Sequence, residues 1–354
     1  MAELDILDIK RMESAVTDAR NIAIVTHTKP DGDAMGSSMA MYHFIKSSDA
    51  SRTVGIVLSD RWPEYLDFLM DEDIRKDIYV HTEDSVKAEG FLDESELIIC
   101  LDFNAYHRTD RLERALSGSK AQKILIDHHL NPDRESFDII FSETEISSAS
   151  ELLYSILLKT EAIGGEASRL PAKSAEALMT GMTTDTNNFA NSTYPSTLVM
   201  ASELLAAGVD RDHIISVLYN QYRENRIRIM GHAMKDLLKI TSDGVAYIVL
   251  DEKTLKAYGI KEGETEGFVN MPLSISSVRM SLLLKEEDGK VRVSIRSKKG
   301  TSANGCARLH FNGGGHENAA GGKLLIPDDI KDISQAATYI ENHTHIFLNG
   351  NDEK

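Results

Sequence analysis

The chain has 354 residues, 42% of them hydrophobic and 27% charged, and a net charge of −17. That length supports two domains with sizeable cores, and the composition is that of an ordinary globular protein. No apolar run approaches the roughly 20 residues of a membrane span, and the acidic balance argues against a grip on long duplex nucleic acid, which needs a basic footprint.

The first residues, MAELDILDIKRMES, are charged and lack the apolar core of a signal peptide, so the sequence reads as cytoplasmic, with no membrane partner. Association into a homodimer is left open. Cys100 lies in an apolar strand-like run and Cys306 near a glycine loop, and free thiols suit this pair better than a disulfide.

In chain order, residues 4–19 read as a helix with Leu4, Ile6, Leu7, Ile9 and Met12 on one broad apolar face. Ile22 to Val25 reads as a buried strand. After a break at Lys29-Pro30-Asp31-Gly32, a helix from about 34 to 47 carries Met35, Met39, Phe44 and Ile45 into the core. Thr53 to Leu58 is a second strand, and Trp62, Pro63, Tyr65, Phe68 and Leu69 form an aromatic patch expected to pack on the sheet. ELIICLD (96–102) and KILIDHH (123–129) are apolar runs that end in acids and histidines. Helical patterns near 109–117, 147–160 and 171–182 separate them. The segment after Gly181, TTDTNNFANST, reads as a polar loop containing Asp185. Helices are expected at about 195–207 and 210–240, the second long and charged. Alternating strands and helices argue for an α/β fold with a doubly wound parallel sheet.

From about 244 the texture becomes strands joined by turns. Asp288-Gly289 reads as a hairpin turn, a short helix is expected near 302–311, KLLIP is a last strand, and residues 328–354 hold one helix and a polar tail. The expected organisation is a catalytic domain over 1–220, a helical linker over 221–243 and a smaller mixed-sheet α/β domain over 244–345, with the active site in the interdomain cleft.

The chemistry concentrates at strand ends. His27, Asp31 and Asp33 follow the first strand, in a segment that Pro30 and Gly32 allow to bend sharply. Asp102, then Asp127, His128 and His129, and finally Asp185 come from three further loops. A parallel sheet gathers such loops at its carboxyl edge. Two hard divalent ions a few ångströms apart need many carboxylates, one of them bridging, and some imidazoles. Mn²⁺ suits that mixed set best, with Mg²⁺ or Co²⁺ as alternatives. A structural zinc fits poorly, because no cysteine ligand pair exists. Ser37 and Ser38 read as helix-start residues rather than nucleophiles. In the second domain a basic strand, VRVSIRSKK (291–299), precedes Gly313-Gly314-Gly315-His316. Glycine-rich backbone of this kind admits a phosphate close to its N–H groups, or simply makes a tight turn.

Five motifs in this order resemble the DHH phosphoesterase superfamily over nearly the whole length. They are HTKPDGDAMGS (27–37), DFNAYHR (102–108), the Asp127-His128-His129 triplet, TTDT around Asp185, and GGGH with Ala319-Ala320-Gly321-Gly322. The resemblance implies that His27, Asp31 and Asp102 hold one Mn²⁺. Asp33, Asp102, His128 and Asp185 hold the second, with Asp102 bridging. It further implies that Asp127 orients a ligand histidine, that His129 meets the substrate phosphate or leaving group, and that Arg108 steadies its own loop. Arg296, Ser297 and His316, with the glycines, would bind a second phosphate. One departure is visible: some relatives carry a fourth glycine where this chain has Asn312.

Within the superfamily, the stand-alone architecture is most similar to the bacterial nanoRNase and pAp phosphatase group. The implied reactions are hydrolysis of very short RNAs to 5′-mononucleotides and of pAp to AMP, by water activated at two metals without a covalent intermediate. Alternatives are hydrolysis of linear dinucleotides (pGpG or pApA), an exopolyphosphatase-like hydrolase, and an inactive nucleotide-binding sensor.

Overall fold

Asn21–Val25 (β1), Thr53–Leu58 (β2), Leu97–Leu101 (β4) and Gln122–Asp127 (β5) are nearly continuous apolar runs, the pattern of strands covered on both faces. In a computed structural model describing residues 4–287 and 289–350, they form the centre of a six-stranded parallel sheet. Its order is β3-β2-β1-β4-β5-β6. The outer strands β3 (Ile78–Val80) and β6 (Ile139–Ser142) are too short to show a pattern in the sequence.

Among the described residues, nine α-helices belong to this unit, residues 1–221. They are α1 (Ile6–Asp18), α2 (Gly32–Ser48), α3 (Glu72–Arg75), α4 (Ser85–Glu94), α5 (Glu113–Gly118), α6 (Ala149–Leu158), α7 (Ala172–Asp185), α8 (Pro195–Ala206) and α9 (Arg211–Asn220). Side chains alternate between the two sheet faces. Ile22, Ile24 and Ile56 pack with Ile9, Met35, Leu152 and Leu178 of α1, α2, α6 and α7, whereas Ala23, Val25 and Cys100 pack with Leu92 and Leu116 of α4 and α5. The strand order reverses between β1 and β4, which opens a crevice at their carboxyl ends.

The second unit, residues 222–354, carries a mixed sheet. Its elements are α10 (Glu224–His232), β7 (Lys239–Ile240), β8 (Val245–Leu250), α11 (Glu252–Ala257), β9 (Met280–Glu287), β10 (Lys290–Ser297), α12 (Ala303–His310), β11 (Gly314–His316), β12 (Ala319–Leu325) and α13 (Ala336–Asn349). Among the described residues, only β8 and β9 pair in parallel in the order β11-β12-β10-β9-β8-β7. α12 and α13 cover one face, and α10 with Phe268 and Val269 covers the other.

Three sequence expectations change. The helix expected over 210–240 is interrupted at residues 221–223, where Arg223 is extended (φ −64°, ψ 147°), and it ends in a π-turn over Ala233–Leu237. The break has a tertiary cause. The Arg226 guanidinium donates to the carbonyls of Glu264 and Glu266 and lies 4.1 Å from the Tyr222 ring centroid, which ties α10 to the second unit. Asp185 is not in a loop but in the last turn of α7, because the Thr184 and Thr186 hydroxyls bond back to the helix carbonyls of Gly181 and Met182. On α1 the buried stripe is Ile9, Met12, Ala15 and Val16, while Ile6 and Leu7 of the first turn stay exposed. At the expected hairpin turn, Asp288 lies outside the described residues, as does the tail beyond residue 350; Glu287 and Lys290 pair across the turn. Both cysteines are buried thiols. Among the described residues no helix is long and apolar enough to cross a membrane.

Candidate metal centre

The loop leaving β1 is held at three points. Asp31 is the N-cap of α2: its carboxylate accepts the amides of Asp33 and Ala34 at 3.0 and 3.1 Å. The Thr28 amide donates to the Arg108 carbonyl at 2.8 Å. Asp60, just past β2, accepts the Thr28 hydroxyl and, at 3.1 Å, the Lys29 amide. These bonds hold Lys29 at φ +51°, a region that non-glycine residues seldom adopt. Asp60 belongs to no motif and escapes sequence reading; its one signal is its place just beyond a buried strand.

His27 Nδ1 lies 2.8 Å from the Thr28 carbonyl. A carbonyl only accepts, so the neutral ring carries its proton on Nδ1 and turns a lone pair outward at Nε2. That Nε2 is 3.8 Å from Asp31 Oδ1 and 3.5 Å from Asp102 Oδ2.

Asp102 is the hub. It is the first residue after β4, 2% exposed, and held at φ +62°. Its Oδ1 is 3.4 Å from His128 Nε2 and 3.7 Å from His129 Nδ1, and accepts no well-formed hydrogen bond. His128 Nε2 also lies 3.9 Å from Asp33 Oδ2 and 3.7 Å from Asp185 Oδ2. Helix packing brings those last two acids together. A Cβ on Gly36 of α2 would sit 2.8 Å from Gly181 Cα of α7, so the helices touch backbone to backbone near Asp33 and Asp185. Asp33 is 2% exposed, and its two oxygens accept the amides of Ala149 (2.6 Å) and Ser150 (2.9 Å) at the start of α6.

Asp127 is fully buried, and its Oδ1 is 2.7 Å from His129 Nδ1. The ring it orients is therefore the one read as facing substrate, rather than a ligand histidine. Arg108 takes part through its carbonyl, which joins the loop after β4 to the loop after β1.

The donor set fits divalent cations. The oxygens and nitrogens of His27, Asp31 and Asp102 lie within 4.8 Å of one another, as do those of Asp33, Asp102 and His128, and Asp102 is common to both groups. Burial and the carboxylates of Asp102 and Asp185 hold Asp33 well above the usual carboxylate range. Burial opposes ionisation of Asp102 too, but the imidazoles of His128 and His27 outweigh it and hold that carboxyl well below its usual range. Burial alone would lower both imidazoles; Asp102 and Asp31 push His27 up to about 10, and Asp102 and Asp185 push His128 up to about 10. Buried acids in this number need positive charge, and hard cations with mixed oxygen and nitrogen donors match it.

In the second unit, Arg296 on β10 and His316 on β11 both pair with Ala319 of β12. Directly opposed residues share a sheet face, so the two project from the same side with only a methyl between them. The Ser297 hydroxyl donates to the Thr301 carbonyl at 2.6 Å and accepts from Asn318 at 3.0 Å, so it shapes the strand end. The glycines divide. A Cβ on Gly313 would fall 1.9 Å from the Gly321 carbonyl, whereas one on Gly314 would meet nothing closer than 3.5 Å. Strand packing demands the first, whereas a methyl on the second would meet Asn304 and Arg308 at ordinary contact distance. On Gly315 a Cβ would fall 2.6 Å from the Ala319 carbonyl.

A parallel sheet with acids and imidazoles gathered at its switch point defines an α/β protein built to collect hard divalent cations. Residues 21–182 match the DHH family, N-terminal domain, and residues 243–342 match the DHHA1 domain. The chain belongs to the DHH family. It is 29% identical over 313 residues to the bifunctional oligoribonuclease and PAP phosphatase NrnA of Bacillus subtilis, covering 88% of this chain and 92% of that one. The crystal structure of an exopolyphosphatase-related protein from Bacteroides fragilis is 33% identical, with all of both chains covered and a TM-score of 0.88. RecJ from Thermus thermophilus in complex with Mn²⁺ shares the fold at 13% identity and a TM-score of 0.56, over 97% of this chain and 54% of that one.

Proposed function

We propose that this protein is a two-metal phosphoesterase that hydrolyses short oligoribonucleotides to 5′-mononucleotides and pAp to AMP and phosphate, with Mn²⁺ as its working ion. The observation that carries the reading is Asp102, whose two oxygens face His27 on one side and His128 on the other. In this reading His27, Asp31 and Asp102 hold one ion, and Asp33, Asp102, His128 and Asp185 hold the other. Divalent cations there supply Lewis acidity, which acidifies water and offsets charge on the phosphoryl oxygens. His129, with Nδ1 fixed on Asp127, presents Nε2 to the phosphoryl or leaving oxygen. Arg296 supplies charge and His316 a ring nitrogen for a second phosphate, and the side-chain-free backbone of Gly314 adds an amide that it can approach. The names of the curated relatives support the same substrate class.

The test is an assay of pAp, a diribonucleotide, linear pGpG and polyphosphate under identical conditions, with Mn²⁺, Mg²⁺ or Co²⁺. AMP from pAp and mononucleotides from the diribonucleotide, both abolished by Asp102→Ala, are expected. Unchanged turnover in that variant would refute the metal reading. Faster release from polyphosphate than from either nucleotide would favour an exopolyphosphatase, the word used for the Bacteroides neighbour.

A further inference from the structure

Asp33 does not stand alone: its carboxylate hangs on two consecutive amides of the first turn of α6. What fixes that turn is a buried acid outside every motif. Ser148 is the N-cap and its hydroxyl accepts the Glu151 amide at 3.0 Å. Glu151 is 1% exposed, and its Oε2 collects three donors: the Ser147 amide at 3.1 Å, the Ser147 hydroxyl, and the Thr197 hydroxyl at 2.6 Å. Thr197 in turn accepts the Tyr194 amide at 3.0 Å at the start of α8. An ordinary capping glutamate does its work at the surface. Burying one carries a desolvation cost. Here the buried carboxylate joins the starts of two helices and leaves the turn under Asp33 little room to shift. Gly181 closes the third side, since a Cβ there would fall 2.0 Å from Ser150 Oγ and 2.9 Å from Asp33 Oδ1.

We propose that Glu151 is a positioning residue for the metal centre, acting through the α6 amides on the Asp33 carboxylate. The inference rests on the reading of Asp33 as a ligand of the second ion. Because the role is that of a hydrogen-bond acceptor, glutamine performs it and alanine does not. Its effect falls on one of two ions, since the α6 amides it steadies bond to Asp33, which in this reading serves the second ion alone.

Mn²⁺ titration of the full chain without substrate, by calorimetry and by electron paramagnetic resonance of bound Mn²⁺, separates the possibilities. Glu151→Ala is expected to weaken one of two ions by about 10–100-fold, the range typical of outer partners of metal ligands, and to leave the other unchanged. Glu151→Gln should stay within about threefold of wild type for both. Thr197→Val, which keeps the helix and removes one donor, should show the same one-site weakening in smaller measure. Two wild-type affinities in Glu151→Ala and Thr197→Val, or equal weakening of both ions together with a fall in Tm, would overturn the proposal. Asp33→Ala is the separate control. If it retains both ions, the ligand reading of Asp33 itself falls; if it loses one while Glu151→Ala keeps both, only the positioning role does.

Discussion

The Thr28 amide donates to the Arg108 carbonyl across 2.8 Å, joining the loop after β1 to the loop after β4 on either side of the point where the strand order reverses. Asp60 completes this clamp from β2 by accepting the Thr28 hydroxyl and the Lys29 amide. Asp60→Ala frees Lys29 to leave its φ of +51° and lets His27 and Asp31 drift. A loss of about 10–100-fold in kcat/KM is expected, with weaker metal binding and little change in Tm. Asp60→Asn keeps an acceptor oxygen and should recover most of the loss. Metal titration beside steady-state kinetics checks both, and wild-type kinetics for Asp60→Ala would remove Asp60 from the site.

Asp127 and His129 are predicted to act as a unit. Asp127 Oδ1 holds His129 Nδ1 at 2.7 Å, so removing the acid leaves the ring free to rotate or to change tautomer. Asp127→Ala should lower kcat by about 10–100-fold. The double variant Asp127→Ala/His129→Ala should be no slower than His129→Ala alone, because residues that share one function are not additive. A double-mutant cycle on kcat measures this; full additivity would mean that Asp127 serves some other partner.

The two neighbouring glycines should behave differently. Gly313→Ala places a methyl against the Gly321 carbonyl and should destabilise the second unit by about 1–3 kcal/mol, the usual range for overpacking. Gly314→Ala has room, so its Tm should stay near wild type while KM for pAp rises. Differential scanning calorimetry with KM measurements separates the pair. Equal Tm losses would mean that both glycines serve packing alone.

These examples mark what a sequence can and cannot convey. The four central strands of the first unit were legible because residues buried on both faces read as unbroken apolar runs. The acids after Val25, Leu101 and Ile126 stood out because nothing in packing requires charge there. Asp185 was visible as an acid but not as a helix residue, since Thr183, Thr184, Asn187 and Asn188 all read locally as loop formers. The bonds from Thr184 and Thr186 to helix carbonyls exist only in three dimensions. Asp60 and Glu151 were illegible for a similar reason. Each is an acid among 56 acidic residues, and each is set apart by a partner 31 to 46 positions away. The break at residues 221–223 depends on Arg226 finding carbonyls near Glu264, which no helical period reports.

A last prediction concerns stability rather than catalysis. His43 lies on α2, away from the metal centre, with its ring edge-on to Tyr42 and a buried Nε2 that has no hydrogen-bond partner. Burial and the nearby Lys173 ammonium pull the imidazole down to about 4, against the modest opposing pull of Asp71. An unfolded histidine titrates near 6.5. Between these values the unfolded chain binds a proton that the folded chain refuses, so stability falls as pH drops from about 6.5 toward 4 and is unaffected by this group above that window. The ring is partly exposed, and with solvent screening discounted the loss is about 1–2 kcal/mol. His43→Phe keeps the ring and removes the titration. Urea unfolding of the two proteins should therefore give a constant stability difference from pH 8 to 6.5, then a shift in favour of the phenylalanine variant of about 1–2 kcal/mol by pH 4.5. Carboxylates that titrate in the same range cancel in the comparison. A difference that stays flat across the whole range would show that His43 is free to ionise in the folded protein.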